Sequence, residues 1–203
     1  MKQKIKSYKN KKVKGIRPDI RYVNNMKEAI YDKKWSSTAS NLELYYMYRK
    51  IKEKNGLVHN ITIMPARMLG KEFVKTKGHY HVGKYGELYT ILKGEAILLM
   101  QKKEKQKIKD VYYVRAKKGD IVIIPPEYGH IMINPSPTRE LKTGDWSSVK
   151  CRSDYGPIEK KGGACYFYTK LGWIKNKNYK KVPKIHFKKP KKSMPKSLDF
   201  LKQ

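Results

Sequence analysis

The chain has 203 residues, 39% of them hydrophobic, and carries 48 Lys and Arg against 17 Asp and Glu, a formal net charge of +31 at pH 7. That length supports one domain with a real core, and that apolar content excludes a disordered chain. No apolar run reaches the roughly eighteen residues that a membrane-spanning helix needs.

The basic surplus attracts anions such as phosphorylated metabolites, nucleic acid or anionic lipid, or it coats the whole surface as a lysine bias. Residues 1–14 hold seven lysines and no acid, and they lack the apolar stretch of a signal peptide. Cys151 and Cys165 lack a CxxC spacing. Together these features predict reduced thiols in a cytoplasmic protein. A short helix is predicted over about 25–35, capped by Asn24 or Asn25, with Met26, Ala29 and Ile30 on one face.

From about 57 the pattern turns to β. LVHNITIM, KEFVKT, ELYTILK, EAILLMQ, VYYVRA, DIVIIP, HIMIN and ACYFYTK follow one another, punctuated by Gly and Pro. Many short strands with frequent turn signals predict an all-β sandwich or barrel. Lys93-Gly94-Glu95 and Lys118-Gly119-Asp120 read as hairpin turns. Residues 175–203 hold eleven lysines and three prolines, which predicts an extended or loosely docked tail whose SLDFLKQ end forms one helical turn. Its aromatics Tyr179, Phe187 and Phe200 could stack on nucleic-acid bases, although no nucleic-acid motif accompanies them and that role is not favoured.

The chemistry concentrates in GHYHVGKYGELYTILKG (78–94) and GDIVIIPPEYGHIMIN (119–134). On a strand, residues two apart share a face, so His79 and His81 enter a barrel interior together. Glu87 begins the next apolar run, and His130 comes from the second segment. Three of the chain's five histidines fall in these two stretches; His59 and His186 lie outside them. Three imidazoles and a carboxylate suit one divalent metal ion, Fe, Mn, Ni, Co or Zn, with positions left open for substrate or water.

His79, His81, Glu87 and Gly94 resemble the first cupin motif, and Gly119, Pro125, His130 and Asn134 resemble the second, with Glu127 standing where the general motif carries Gly. This resemblance implies a cupin, a jelly-roll-like β-barrel, over residues 21–172, with a basic N-terminal extension over 1–20 and a lysine-rich tail over 173–203. More narrowly, GKEFVKTKGHYH (70–81) and SDYGPIEKKG (153–162) resemble the cupin-type glucose-6-phosphate isomerases, as do Tyr45 and Tyr48, a YxxY pair, and Thr62. That likeness covers about 40–170. It implies a metal-dependent aldose–ketose isomerase that interconverts glucose 6-phosphate and fructose 6-phosphate through an enediol.

In such an enzyme Thr62, Thr76, Gly78, Tyr45 and Tyr155 would bind the phosphorylated sugar, and Glu87 would be both metal ligand and catalytic base. Lys77 would raise the local anion concentration and Asp154 would shape its loop. Ser153 departs from the family, which is expected to carry a histidine there. A homodimer is the expected assembly. Alternative readings are another metal-dependent cupin, a dioxygenase or sugar epimerase, or a non-enzymatic cupin that binds a sugar phosphate.

Overall fold

The computed structural model describes residues 7–105 and 107–202. Residues 1–6 of the expected basic extension, and Gln203, lie outside them. The strands in chain order are β1 (Asp19–Tyr22), β2 (Glu43–Lys54), β3 (Leu57–Met64), β4 (Met68–Leu69), β5 (Glu72–Phe73) and β6 (Tyr80–Val82). Next come β7 (Glu87–Lys93), β8 (Glu95–Glu104), β9 (Lys107–Lys117), β10 (Ile121–Ile124), β11 (Tyr128–Ile133) and β12 (Leu141–Ser148). The last are β13 (Arg152–Asp154), β14 (Tyr166–Thr169), β15 (Gly172–Lys175) and β16 (His186–Lys188). Two short helices, α1 (Lys33–Thr38) and α2 (Gly156–Glu159), complete the set with three 3-10 turns.

A six-stranded sheet, ordered β1-β2-β3-β12-β7-β10, faces a four-stranded sheet, ordered β11-β8-β9-β16. One core lies between them, contributed by Leu44, Met64, Ile91 and Leu141 from the first and Leu98, Met100, Val114 and Met132 from the second. The four-stranded sheet is also covered on its other side, where Ile97, Leu99, Ile131 and Ile133 meet Phe73, Ile158, Cys165 and Tyr179. Burial on both faces explains why EAILLMQ reads as a continuous apolar run rather than an alternating one. The architecture is the all-β, jelly-roll-like arrangement expected from the sequence, although among the described residues its sheets do not close into a continuous barrel.

Gly94 and Gly119 do not close hairpins. β7 pairs with β10 and β12, while β8 pairs with β9 and β11, so Lys93-Gly94-Glu95 carries the chain from one sheet to the other. Lys118-Gly119-Asp120 hands it back from β9 to β10. Gly94 turns at φ +79°, and a Cβ there would stand 2.4 Å from the Glu140 carbonyl oxygen. A hairpin does form between β2 and β3, where Asn55-Gly56 turns with φ +52° and +73°, the left-handed pair of a type I′ turn.

The helix expected over 25–35 is replaced by 3-10 turns at Val23–Asn25 and Lys27–Ala29, followed by α1. The Asn25 side chain accepts from the Tyr22 N–H and caps the first 3-10 turn, while Glu72 Oε1 accepts from the Tyr31 N–H at 2.6 Å and takes that donor from a helix. Asp32, not Asn24 or Asn25, caps α1 by accepting from the Trp35 N–H. The expected apolar face is nonetheless the buried one, with Met26, Ala29 and Ile30 fully enclosed.

The basic tail docks through β16, which runs parallel to β9, and through Leu201, buried in the expected turn at Asp199–Leu201. Tyr179 is buried and donates to the Gly163 carbonyl, so its ring is not presented for stacking on bases. Among the described residues no helix is long and apolar enough to cross a membrane. Cys151 and Cys165 are free thiols, as expected.

A buried ion pair ties the 3-10 region to the barrel. Lys75 Nζ lies 2.7 Å from Glu72 Oε2 and donates to the Ala29 carbonyl at 2.8 Å, with both side chains almost wholly excluded from solvent. Removing one partner strands the other's charge, which costs about 3–5 kcal/mol, whereas an exposed pair contributes about 0–1 kcal/mol. Lys75→Met should therefore lower unfolding stability by about 3 kcal/mol or more in denaturant titration. Lys109→Met, which breaks the exposed pair with Glu104, should cost less than about 1 kcal/mol.

Candidate metal centre and substrate pocket

Two stretches distant in sequence are laid side by side by their backbones. The His130 N–H donates to the His79 carbonyl at 3.0 Å, and the His79 N–H returns a bond to His130 at 3.3 Å. Further along, the Thr76 N–H donates to Met132 and the Asn134 N–H to Val74. Gly78 makes the close approach possible. Its φ is +84°, and a Cβ would fall 2.4 Å from Ile131 Cγ1.

Alternation then separates the faces. His130 and Met132 line the pocket between the sheets, while Ile131 and Ile133 pack behind. His79 and His81 line the same pocket, and Tyr80 between them packs behind. Glu87 arrives as the first residue of β7, opposite Ser147 of β12 and Ile124 of β10.

The three imidazoles form a triangle with ring centroids 4.5 Å apart for His79–His130, 5.2 Å for His79–His81 and 5.3 Å for His81–His130. Glu87 Oε2 lies 3.0 Å from His130 Nε2 and 3.3 Å from His81 Nε2. One ligand atom from each of the four residues falls within 4.8 Å of all the others. A metal at about 2.1 Å from each donor needs its ligand atoms within about 4.2 Å of one another, so a small contraction suffices.

The convergence on one oxygen agrees with a metal. Glu87 Oε2 is buried and faces the His130 and His81 ring nitrogens together. His81 Nδ1 lies 2.9 Å from the Tyr85 carbonyl, which holds the N–H on that side and turns Nε2 inward as a donor.

Electrostatics favour the ligating forms for two of the four. Burial, with the neighbouring His130 adding to it, holds His79 well below the usual histidine value, so its ring is neutral. Burial opposes ionisation of Glu87, yet contacts with His130 and His81 hold it well below the carboxylate range. His81 is the exception: burial works against its charge, but contacts with Cys151 and Glu87 carry it up to about 11. Without a metal, His81 therefore keeps the proton that a cation must displace.

The nine residues expected to hold the metal or the substrate line this one cavity of about 240 Å³: Tyr45, Thr62, Thr76, Gly78, His79, His81, Glu87, His130 and Tyr155. Thr76 Oγ1 accepts from the Met132 N–H at 3.0 Å, which leaves the hydroxyl proton available to an anion. The Tyr45 hydroxyl accepts from the Lys77 N–H at 3.2 Å. The Tyr155 ring lies 5.5 Å from His79. Tyr48 is not part of the site; it is fully buried elsewhere and donates to the Lys11 carbonyl. Lys77 is paired with Glu159. Asp154 Oδ1 accepts from the Gly156 N–H and so holds the loop.

Sequence reasoning missed Arg49, Asn60, Tyr89 and Asp145, which share the lining. Burial, then the adjacent Glu87 charge, raises the Asp145 carboxyl well above its ordinary value. Asn60 Nδ2 donates to Asp145 Oδ2 at 2.7 Å. The available signal was an acid in the middle of a strand in a chain that spends few acids. Ser153 lines the pocket opposite His81 in the strand register, where the family was expected to place a histidine.

Comparison with known proteins gives a consistent result. Residues 22–184 match the family described as Glucose-6-phosphate isomerase (GPI). A glucose-6-phosphate isomerase of Pyrococcus abyssi is 29% identical over 176 residues, 80% of this chain and 87% of that protein. The Pyrococcus furiosus protein of the same name is 26% identical over 169 residues, with the same coverage. That of Thermococcus onnurineus is 32% identical over 119 residues, 54% of this chain and 57% of that protein.

Two outcomes are expected at this site. At pH 7.5, loading the metal-free protein with Mn²⁺ or Zn²⁺ in weak buffer should release about one proton per chain, and the apparent Kd should fall about tenfold for each pH unit raised between 6.5 and 8.5. Proton-free, pH-independent binding would contradict the protonated His81. His130→Ala should weaken metal binding at least tenfold in equilibrium dialysis, whereas His59→Ala, outside the pocket, should leave it unchanged.

Proposed function

The chain belongs to the glucose-6-phosphate isomerase family, and on that premise we infer that the His79–His81–Glu87–His130 cluster is the divalent-metal centre at which its reaction takes place. The enzyme interconverts glucose 6-phosphate and fructose 6-phosphate. The observation that carries the assignment is spatial: the four convergent donors share one cavity with Thr62, Thr76 and Gly78.

The substrate is an open-chain sugar with a dianionic phosphate. In this reading the phosphate lies against the Thr76 and Thr62 hydroxyls and the Gly78 N–H, with Tyr45 and Tyr155 closing over it. A bound divalent cation, Fe, Mn, Ni, Co or Zn, supplies Lewis-acid stabilisation of the negative charge that gathers on the C1 and C2 oxygens. Glu87 takes the proton from C2 of the aldose and returns it to C1, while the hydroxyl proton moves from O2 to O1, through an enediol. Burial and then the neighbouring Glu87 charge hold the Asp145 carboxyl well above its ordinary range, so it adds less negative charge beside the reacting carbons than an exposed carboxylate would.

One observation favours a second mechanism. Glu87 Oε2 sits among the ring nitrogens rather than apart from them, and a carboxylate committed to the metal is a poor base. In that case hydrogen passes directly between C1 and C2 and Glu87 only coordinates.

β1 forms one edge of the six-stranded sheet, and an open edge of this kind supports pairing of two copies as a homodimer. A cytoplasmic location fits a catalyst of sugar-phosphate interconversion.

In an assay coupled to glucose-6-phosphate dehydrogenase, metal-loaded protein should turn over fructose 6-phosphate, lose that activity to a chelator and regain it on adding metal. Activity unaffected by removal of all metal would overturn the assignment of the centre. Glu87→Gln should lower kcat on the order of 10²–10⁴-fold with metal largely retained if Glu87 is the base. Turnover in D₂O should then place solvent deuterium on the product carbon; its absence would select the direct transfer.

A further inference from the structure

Tyr80 lies between two of the proposed metal ligands but faces away from them. On that opposite side a second cavity of about 220 Å³ opens between the β8–β9 hairpin and α2. Lys103, Lys105, Lys107, Lys160 and Lys161 line it, and among the described residues no carboxylate does. Lysine is abundant over this whole chain, so number alone decides nothing. The ion pairs discriminate better. On the same hairpin Lys102 holds Glu127 and Lys109 holds Glu104, whereas these five lysines form no ion pair among the described residues.

The floor is polar and ordered. Gln101 is 2% exposed. Its Nε2 donates to the Tyr80 hydroxyl at 2.9 Å and to the Tyr179 hydroxyl at 3.4 Å, while its Oε1 accepts from the Cys165 N–H at 2.8 Å. The Tyr80 hydroxyl, filled as an acceptor, keeps its own proton to give. Lys103 Nζ stands 5.0 Å from the Tyr80 ring centroid and Lys161 Nζ 5.8 Å from that of Tyr179, so both ammonium groups are held over the rims of the floor.

We propose that this cavity is a second anion site, separate from the catalytic pocket, that takes a diphosphate group. Five lysines without an ion pair among the described residues line a concave surface to which no described carboxylate contributes, and together they give a field suited to a compact, multiply charged anion. The Tyr80 hydroxyl supplies a directed donor that bulk lysine charge does not, while the Tyr179 proton is already given to the Gly163 carbonyl. The group's source is either free inorganic pyrophosphate or the diphosphate of a nucleotide.

The test titrates metal-loaded full chain, held saturated with fructose 6-phosphate, with ADP, inorganic pyrophosphate and adenosine by calorimetry, with bound metal measured before and after. ADP or pyrophosphate should bind at one site per chain and adenosine should not. Pyrophosphate that binds as tightly as ADP identifies the free anion as sufficient; tighter ADP binding identifies a nucleotide.

The triple variant Lys103→Gln, Lys160→Gln, Lys161→Gln should weaken this binding at least tenfold and keep isomerase activity within about twofold. The control Lys52→Gln, Lys54→Gln, Lys71→Gln removes the same charge from exposed positions away from the cavity and should weaken binding less than about threefold. Melting temperatures confirm that both variants are folded. The proposal is overturned by equal weakening in the two variants, by loss of binding on saturation with fructose 6-phosphate, or by no binding of either phosphate compound at millimolar concentration.

Discussion

The site rests on the pairing of residues 74–79 with 130–134. His79 and His130 exchange backbone hydrogen bonds, Thr76 and Asn134 extend the pairing on one side, and the Thr76 hydroxyl accepts from Met132. This short irregular ladder does three things together. It sets two imidazoles 4.5 Å apart, it aims the Thr76 hydroxyl into the same cavity, and it forces residue 78 into a left-handed conformation over Ile131. Glycine at 78 is therefore required by packing whatever the substrate does. Glu87 comes from a different sheet, so a metal held by all four donors would also tie the two sheets together.

How much of this was legible follows from the distances involved. The convergence of these side chains was legible because each motif is local: His79 and His81 share a face by strand alternation, and His130 sits in a strand-flanked segment of its own. The sheet to which each strand belongs was not. Gly94 and Gly119 carry the marks of a hairpin turn, and nothing local says that the strands on either side pair with other partners. Conversely, Asn55-Gly56, a strong local turn signal that the sequence reading passed over, does close a hairpin. The early helix failed for a nonlocal reason, since Glu72, forty-one residues on, captures the Tyr31 N–H. Arg49, Asn60 and Asp145 escaped notice because they reach the pocket only through the β2–β3–β12 pairing.

Departures from the cupin pattern are themselves informative. Glu127 stands where the motif carries Gly, yet it keeps the glycine conformation at φ +68°. The backbone path of the second motif is thus retained without the residue that adopts it most cheaply, and the Glu127–Lys102 pair accompanies it. Ser153 lies beside His81 in the strand register, so the histidine expected there is replaced by a small hydroxyl on the pocket wall. The cationic surplus is distributed unevenly in function: Lys75 is a buried structural strut, Lys77 is paired with Glu159, and the lysines behind Tyr80 face an open cavity.

The central claim is that three histidines from two paired segments and one carboxylate from the facing sheet bind a single metal ion. The most direct measurement is X-ray absorption on protein loaded with one equivalent of Mn²⁺ or Zn²⁺. The account predicts a first shell with three imidazole nitrogens, shown by their outer-shell scattering, and oxygen at about 2.0–2.2 Å. An all-oxygen shell, or fewer than two imidazoles, would place the metal elsewhere and contradict the account.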